Sequence, residues 1–171
     1  MKKVFIIFLM ALVLGGCDKK NEEKEVKIEE KVLIEKITVG SDLCSQLSSE
    51  FVTEATGIVI AQSKNINDAS INACDYYLTG ENNSPYIAII VNKNLDFEKQ
   101  KQIAEKMKFK LKTDEEIEME HYVAWADNES RIVNINLAMD ANNFIRVDKN
   151  VERAIDNEGL LKLARAVAKR L

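Results

Sequence analysis

"IEMEHYVAWADNESRIVNINLAMDANNFIRVD", residues 117–148, decides the fold. Thr113 and Glu116, just ahead of it, have the spacing of a capping box and would suit a helix start. The residues that follow alternate instead. Ile117, Met119, His121, Val123 and Trp125 fall on one face of an extended chain, and Glu118, Glu120, Tyr122 and Ala124 on the other. Period two therefore selects a strand over 117–125. "ADNES" turns the chain, "RIVNINLA" returns with Val133, Ile135 and Leu137 on one side, and "MDANN" turns it again into "FIRVD". Three strands joined by short turns make an antiparallel meander.

Upstream, "YIAIIVN" is a strongly apolar strand, and "GENNSP", residues 80–85, links it as a hairpin to "CDYYL", residues 74–78. "IVIAQ", after Gly57, reads as a short strand, and "KNINDASIN" as a polar loop. Three segments have helical spacing. "DLCSQLSSEFVTEAT", residues 42–56, places Cys44, Leu47, Phe51 and Ala55 on one stripe, with Ser41 or Asp42 as N-cap and Gly57 as the stop. Residues 96–108 place Phe97, Ile103, Ala104 and Met107 on a buried stripe among lysines and glutamates. The last segment, 157–171, gathers Leu160, Leu163, Ala164, Val167 and Leu171, with Lys169 and Arg170 suited to the negative end of the helix dipole. The expected fold is α+β, an antiparallel sheet with helices on one face, in a single domain over 38–171. About 134 residues are enough for one hydrophobic core.

The first 37 residues have a different character. Lys2 and Lys3 precede "VFIIFLMALVL", residues 4–14, an apolar run too short to span a bilayer, which takes roughly 20 residues, but within the range of a secretory signal core. Leu14, Gly15 and Gly16 then lead into Cys17. That junction resembles the lipobox of bacterial lipoproteins. The resemblance covers residues 1–17 and implies removal of 1–16 and acylation of Cys17 with diacylglycerol; the alternatives are a plain signal with a chance cysteine and an uncleaved anchor. Two acyl chains hold a protein firmly where one does so only marginally. In some double-membraned bacteria an aspartate in the position of Asp18 marks retention at the inner membrane, so the expected location is the periplasmic face of that membrane.

Residues 17–37 read as a lipidated, charged tether: between 18 and 36 lie seven acidic and six basic side chains, too polar to bury a core. Without residues 1–16 the chain keeps 22 basic against 28 acidic side chains, a charge of about −6. An acidic chain with no basic block argues against nucleic acid as a partner and leaves membrane attachment to the lipid.

Of the three cysteines, Cys17 goes to the lipid, leaving Cys44 and Cys74. Cys44 faces inward on its helix, and Cys74 shares a side with Tyr76 and Leu78. In an oxidising compartment the expected pairing is a Cys44–Cys74 disulfide stapling helix to strand. A redox pair would place its cysteines two residues apart, and a zinc site with His121 would need four ligands at recognisable spacings; neither pattern occurs. The helix with Cys44, Gly57 and "ACDYYL" also resembles a class of small exported bacterial lipoproteins of unknown function that open on a Cys-x-x-Leu helix and close on an amphipathic one. That likeness implies a related fold and no chemistry.

His121, the only histidine, sits in an apolar row and reads as a hydrogen-bonded, half-buried side chain. There is no G-x-S-x-G, no phosphate-cradling glycine loop and no H-E-x-x-H, and no metal or cofactor is expected. The run Asp114, Glu115, Glu116, Glu118 and Glu120 reads as a solvated edge, although it leaves an acid pair of the glycosidase kind open. Tyr76, Tyr122, His121 and Trp125 are the candidates for a ligand groove. The preferred expectation is a lipid-anchored, non-enzymatic envelope protein that binds a partner protein or small ligand, in the manner of an inhibitor or immunity protein. The rivals are a small hydrolase of cell-wall material and a structural accessory subunit.

Overall fold

Residues 36–80, 84–150 and 155–171 are described by a computed structural model. The signal segment, Cys17, Asp18 and the tether through residue 35 lie outside the described residues, as does the middle of the 80–85 turn. The strands are β1 (Gln62–Asn67), β2 (Ile71–Tyr77), β3 (Ile87–Lys93), β4 (Lys110–Lys112), β5 (His121–Trp125), β6 (Ile132–Asp140) and β7 (Asn143–Lys149). The helices are α1 (Leu43–Gln46), α2 (Ser49–Thr56), α3 (Phe97–Lys106) and α4 (Asn157–Ala168).

The strands form one seven-stranded sheet in the order β1-β2-β3-β7-β6-β5-β4, with every neighbouring pair antiparallel. Two meanders, β1-β2-β3 and β4-β5-β6-β7, are zipped side by side where β3 meets β7 in the register Ile89↔Val147. The architecture is α+β, as the period-two pattern indicates. One face of the sheet carries Cys74, Tyr76, Ile89, Val123, Leu137 and Val147, packed with Leu43 of α1, Val52 of α2 and the Leu160, Leu163 and Val167 stripe of α4. Each such aliphatic side chain stabilises the fold by about 1.5–3 kcal/mol relative to exposure. α3 crosses the opposite face as it carries the chain from β3 to the far edge at β4. Its Phe97 and Ala104 pack on Tyr122, Ala124 and Phe144, with the Phe97 ring 5.4 Å from Tyr122 and 6.0 Å from Phe144. Helices therefore cover both faces, three on one and α3 on the other.

Several local expectations are corrected. The helix over 42–56 is two helices. Asp42 caps α1 by accepting from Ser45 N–H, and Ser48 caps α2 by accepting from Phe51 N–H. The break comes from tertiary hydrogen bonds to carbonyls at the junction: Arg170 donates to Gln46 O at 2.6 Å, and Tyr76 Oη to Leu47 O at 2.5 Å. Gly57 does end the helix, at φ +73°. The strand expected in "IVIAQ" starts later, at Gln62, and the supposed polar loop is the rest of β1 and its turn. There Asp68 Oδ1 accepts from Ser70 N–H (2.7 Å) and Ile71 N–H (2.9 Å). As an edge strand, β1 pairs on one side only and stays largely exposed, so its polar sequence shows no burial pattern.

The strand over 117–125 contracts to His121–Trp125, and residues 114–119 form a loop that still buries Ile117. Glu118 and Glu120, expected on the outer face of that strand, thus precede it. A β-bulge at Ala124/Trp125 pairs Trp125 with Ile132, so Ile132, not Val133, joins Ile135 and Leu137 in the core. On α3 only Phe97 and Ala104 of the expected stripe are buried; Ile103 and Met107 are 47 % and 62 % exposed. Packing begins before Thr38, because Ile37 is buried and its N–H donates to Arg170 O at 2.8 Å.

Candidate functional site

Cys44 and Cys74 form a disulfide between α1 and β2, with their Cα atoms 5.1 Å apart. Two further contacts tie the short helix and the residue before its cap to β1 and β2: Leu43 N–H donates to Asn65 Oδ1 at 3.1 Å, and Asn72 Nδ2 donates to Ser41 O at 2.5 Å. A four-residue helix cannot hold itself in water, so these cross-links fix its place.

Tyr76, Tyr122, His121 and Trp125 do not line one groove. Tyr76 is fully buried on the face under α1, α2 and α4, where burial pushes its hydroxyl well above the ordinary tyrosine range. Tyr122 lies on the other face beneath α3, and burial pushes its pKa up to about 12. Trp125 packs on the first face near the sheet edge, its ring 5.1 Å from Lys112 Nζ. His121 is 9 % exposed, and backbone groups of the preceding loop occupy both ring nitrogens. Nε2 accepts from Asp114 N–H at 2.8 Å, which makes Nδ1, 2.8 Å from Met119 O, the protonated nitrogen. The histidine thus orders the 114–119 loop.

That loop presents Asp114 and Glu116 to α4. Arg165 pairs with Asp114 and reaches Glu116 at 3.1 Å and Glu158 at 3.5 Å. The Arg165 guanidinium holds the Asp114 carboxyl below the usual carboxylate range. Part of the acidic run is therefore an anchor. On the α3 face, Arg146 and Asp148 pair at 2.8 Å on adjacent outward positions of β7, and burial raises the Asp148 carboxyl. Among the described residues no group of three or more His, Cys, Asp or Glu is arranged to hold a metal ion.

The concave feature with the most one-sided chemistry was not anticipated. A cleft of about 670 Å³ opens between the start of α3, the residues leading into β5, and the β6–β7 turn. Four carboxylates line it, those of Asp96, Glu98, Glu120 and Asp140, and its apolar lining includes Phe97, Met119, Ala138 and Met139. Among the described residues no basic side chain lines it. Asp96 is the N-cap of α3, accepting from Lys99 N–H at 2.9 Å. Asp140 accepts from Asn142 N–H (2.8 Å) and from Asn143 Nδ2, and these bonds lower its pKa. Glu98 has Lys101 at 3.6 Å, one turn along α3. The β3–β7 pairing brings these segments together, helped by Leu95 N–H donating to Asn142 O at 2.8 Å. Of the acidic run at 114–120, only Glu120 takes part. No family model, curated protein or solved structure matches this chain.

Proposed function

We propose that the chain is a lipid-anchored, non-enzymatic binding module of a bacterial cell envelope, held at the membrane through Cys17. The observation that carries this is the Cys44–Cys74 disulfide. It occupies both cysteines of the folded domain, as expected for a protein matured in an oxidising compartment, and it leaves Cys17 for acylation. Among the described residues no helix is long and apolar enough to cross a membrane, so the lipid supplies the attachment in this reading. Binding is favoured over hydrolysis because the groups a hydrolase would need are engaged in the fold. His121 has both nitrogens hydrogen-bonded, Asp114 is gripped by Arg165, and Asp96 and Asp140 bond to backbone or amide groups. Mass spectrometry of the protein purified from its own membranes tests the anchor: a diacylglyceryl group on Cys17 is expected, and Cys17→Ser should move the chain to the wash fraction. An unmodified amino terminus, or a Cys17→Ser chain that remains membrane-bound, overturns the reading.

A further inference from the structure

The acidic cleft names a partner chemistry, and this inference rests on the binding reading above. We infer that the cleft between α3 and the β6–β7 turn receives a basic amphipathic segment of a partner protein, with lysine or arginine side chains laid along the methionine floor. Charge complementarity is the ground. Four carboxylates converge on the cleft, no basic side chain among the described residues lines it, and concave acidic walls focus their field on what enters. Its chemistry also has two parts. Asp96, Glu98, Glu120 and Asp140 are exposed, while Met119, Ala138 and Met139 are half-buried at the cleft and Phe97 is buried against Tyr122 and Phe144.

A lysine or arginine has that division within one side chain, an aliphatic stem ending in a cation that stays in water. Methionine is suited to the stem because its unbranched, polarizable side chain adapts to varied shapes. Leu95, 45 % exposed beside Asp96, extends the apolar surface at the rim. The groove between α2 and α4 lacks this one-sidedness, since Lys162, Arg165 and Lys169 line it together with Glu54 and Glu116.

The test measures binding of a fluorescent lysine–leucine amphipathic peptide to the full chain in mild detergent by anisotropy, with a glutamate–leucine peptide as control. Glu98→Gln combined with Glu120→Gln should weaken the lysine peptide about fivefold, and added salt should weaken it further. Glu54→Gln, distant on α2, should leave it unchanged. Met139→Ala should also weaken it, which simple charge attraction would not produce. Both glutamates are exposed, so the variant should fold, with a circular dichroism spectrum matching the wild type. Equal binding of both peptides, or equal loss in the Glu54 and cleft variants, overturns the inference, as does equally tight displacement by spermine, which needs no apolar stem. Acylation at Cys17 with none of these effects would leave the anchored binding module standing and remove only the cleft; peptide capture without acylation would do the reverse.

Discussion

The guanidinium of Arg165 on α4 grips both carboxylate oxygens of Asp114, Nη2 to Oδ2 at 2.8 Å and Nε to Oδ1 at 3.2 Å, across 51 positions of sequence. The Asp114 side chain is 8 % exposed in this arrangement, so the pair is shielded from competing water. Asp114→Asn should destabilise the protein by about 1–3 kcal/mol, measured by urea unfolding at neutral pH. Because the folded state depresses the Asp114 pKa, this contribution is complete above the unfolded carboxylate value near 4 and fades as pH falls through the folded value. The gap between wild type and variant should accordingly close in acid and stay constant from neutral to mildly alkaline pH.

Replacing both Cys44 and Cys74 by serine should cost about 3–4 kcal/mol, the loop-entropy value for a cross-link with a separation of 30 residues. The comparison is of denaturation midpoints with and without reductant. Reductant should lower the wild-type midpoint to that of the double variant and leave the variant unmoved.

His121→Phe keeps the apolar body of the side chain and removes both of its hydrogen bonds. Asp114 N–H and Met119 O would then lose their partners, at about 1–3 kcal/mol by chemical denaturation. Amide hydrogen exchange in residues 114–119 should accelerate more than exchange in β6 or β7.

The tyrosines set an alkaline limit. Burial raises the hydroxyl pKa of Tyr76, and raises that of Tyr122 to about 12, from an ordinary value near 10. The folded protein then holds protons that the unfolded chain has released, so stability is constant below pH about 10 and falls as pH rises above it. Absorbance titration of phenolate should show a late fraction that disappears in denaturant. Tyr76→Phe should also lose about 1 kcal/mol or more at neutral pH, since Tyr76 Oη donates to the Leu47 carbonyl.

Sequence pattern revealed what is local and periodic. β3, β6, β7 and the apolar stripe of α4 declare themselves because one face of each is buried and the repeat of the backbone imposes itself on residue type. The disulfide was legible for the same reason, as each cysteine lies on an inward stripe. What escaped is non-local. The break between α1 and α2 is made by Tyr76 and Arg170, which reach carbonyls 29 and 124 positions away. β1 escaped because an edge strand made of Gln62, Ser63, Lys64 and Asn65 has no burial to record. Tyr76 and Tyr122, both candidates for one groove from sequence, belong to opposite faces of the sheet. The acidic cleft was invisible because its walls come from residues 96–98, 119–120 and 138–141, and only strand pairing puts them together.

The seam between β3 and β7 also orders events in time. Ile87, Ile89 and Val91 leave the ribosome long before Ile145 and Val147, their neighbours in the finished sheet, so a chain emerging from its amino terminus exposes a greasy, unpaired edge throughout the interval. Folding of this domain is therefore gated by the arrival of its last strand, and the waiting half is where a chaperone or a misassembled neighbour would first take hold.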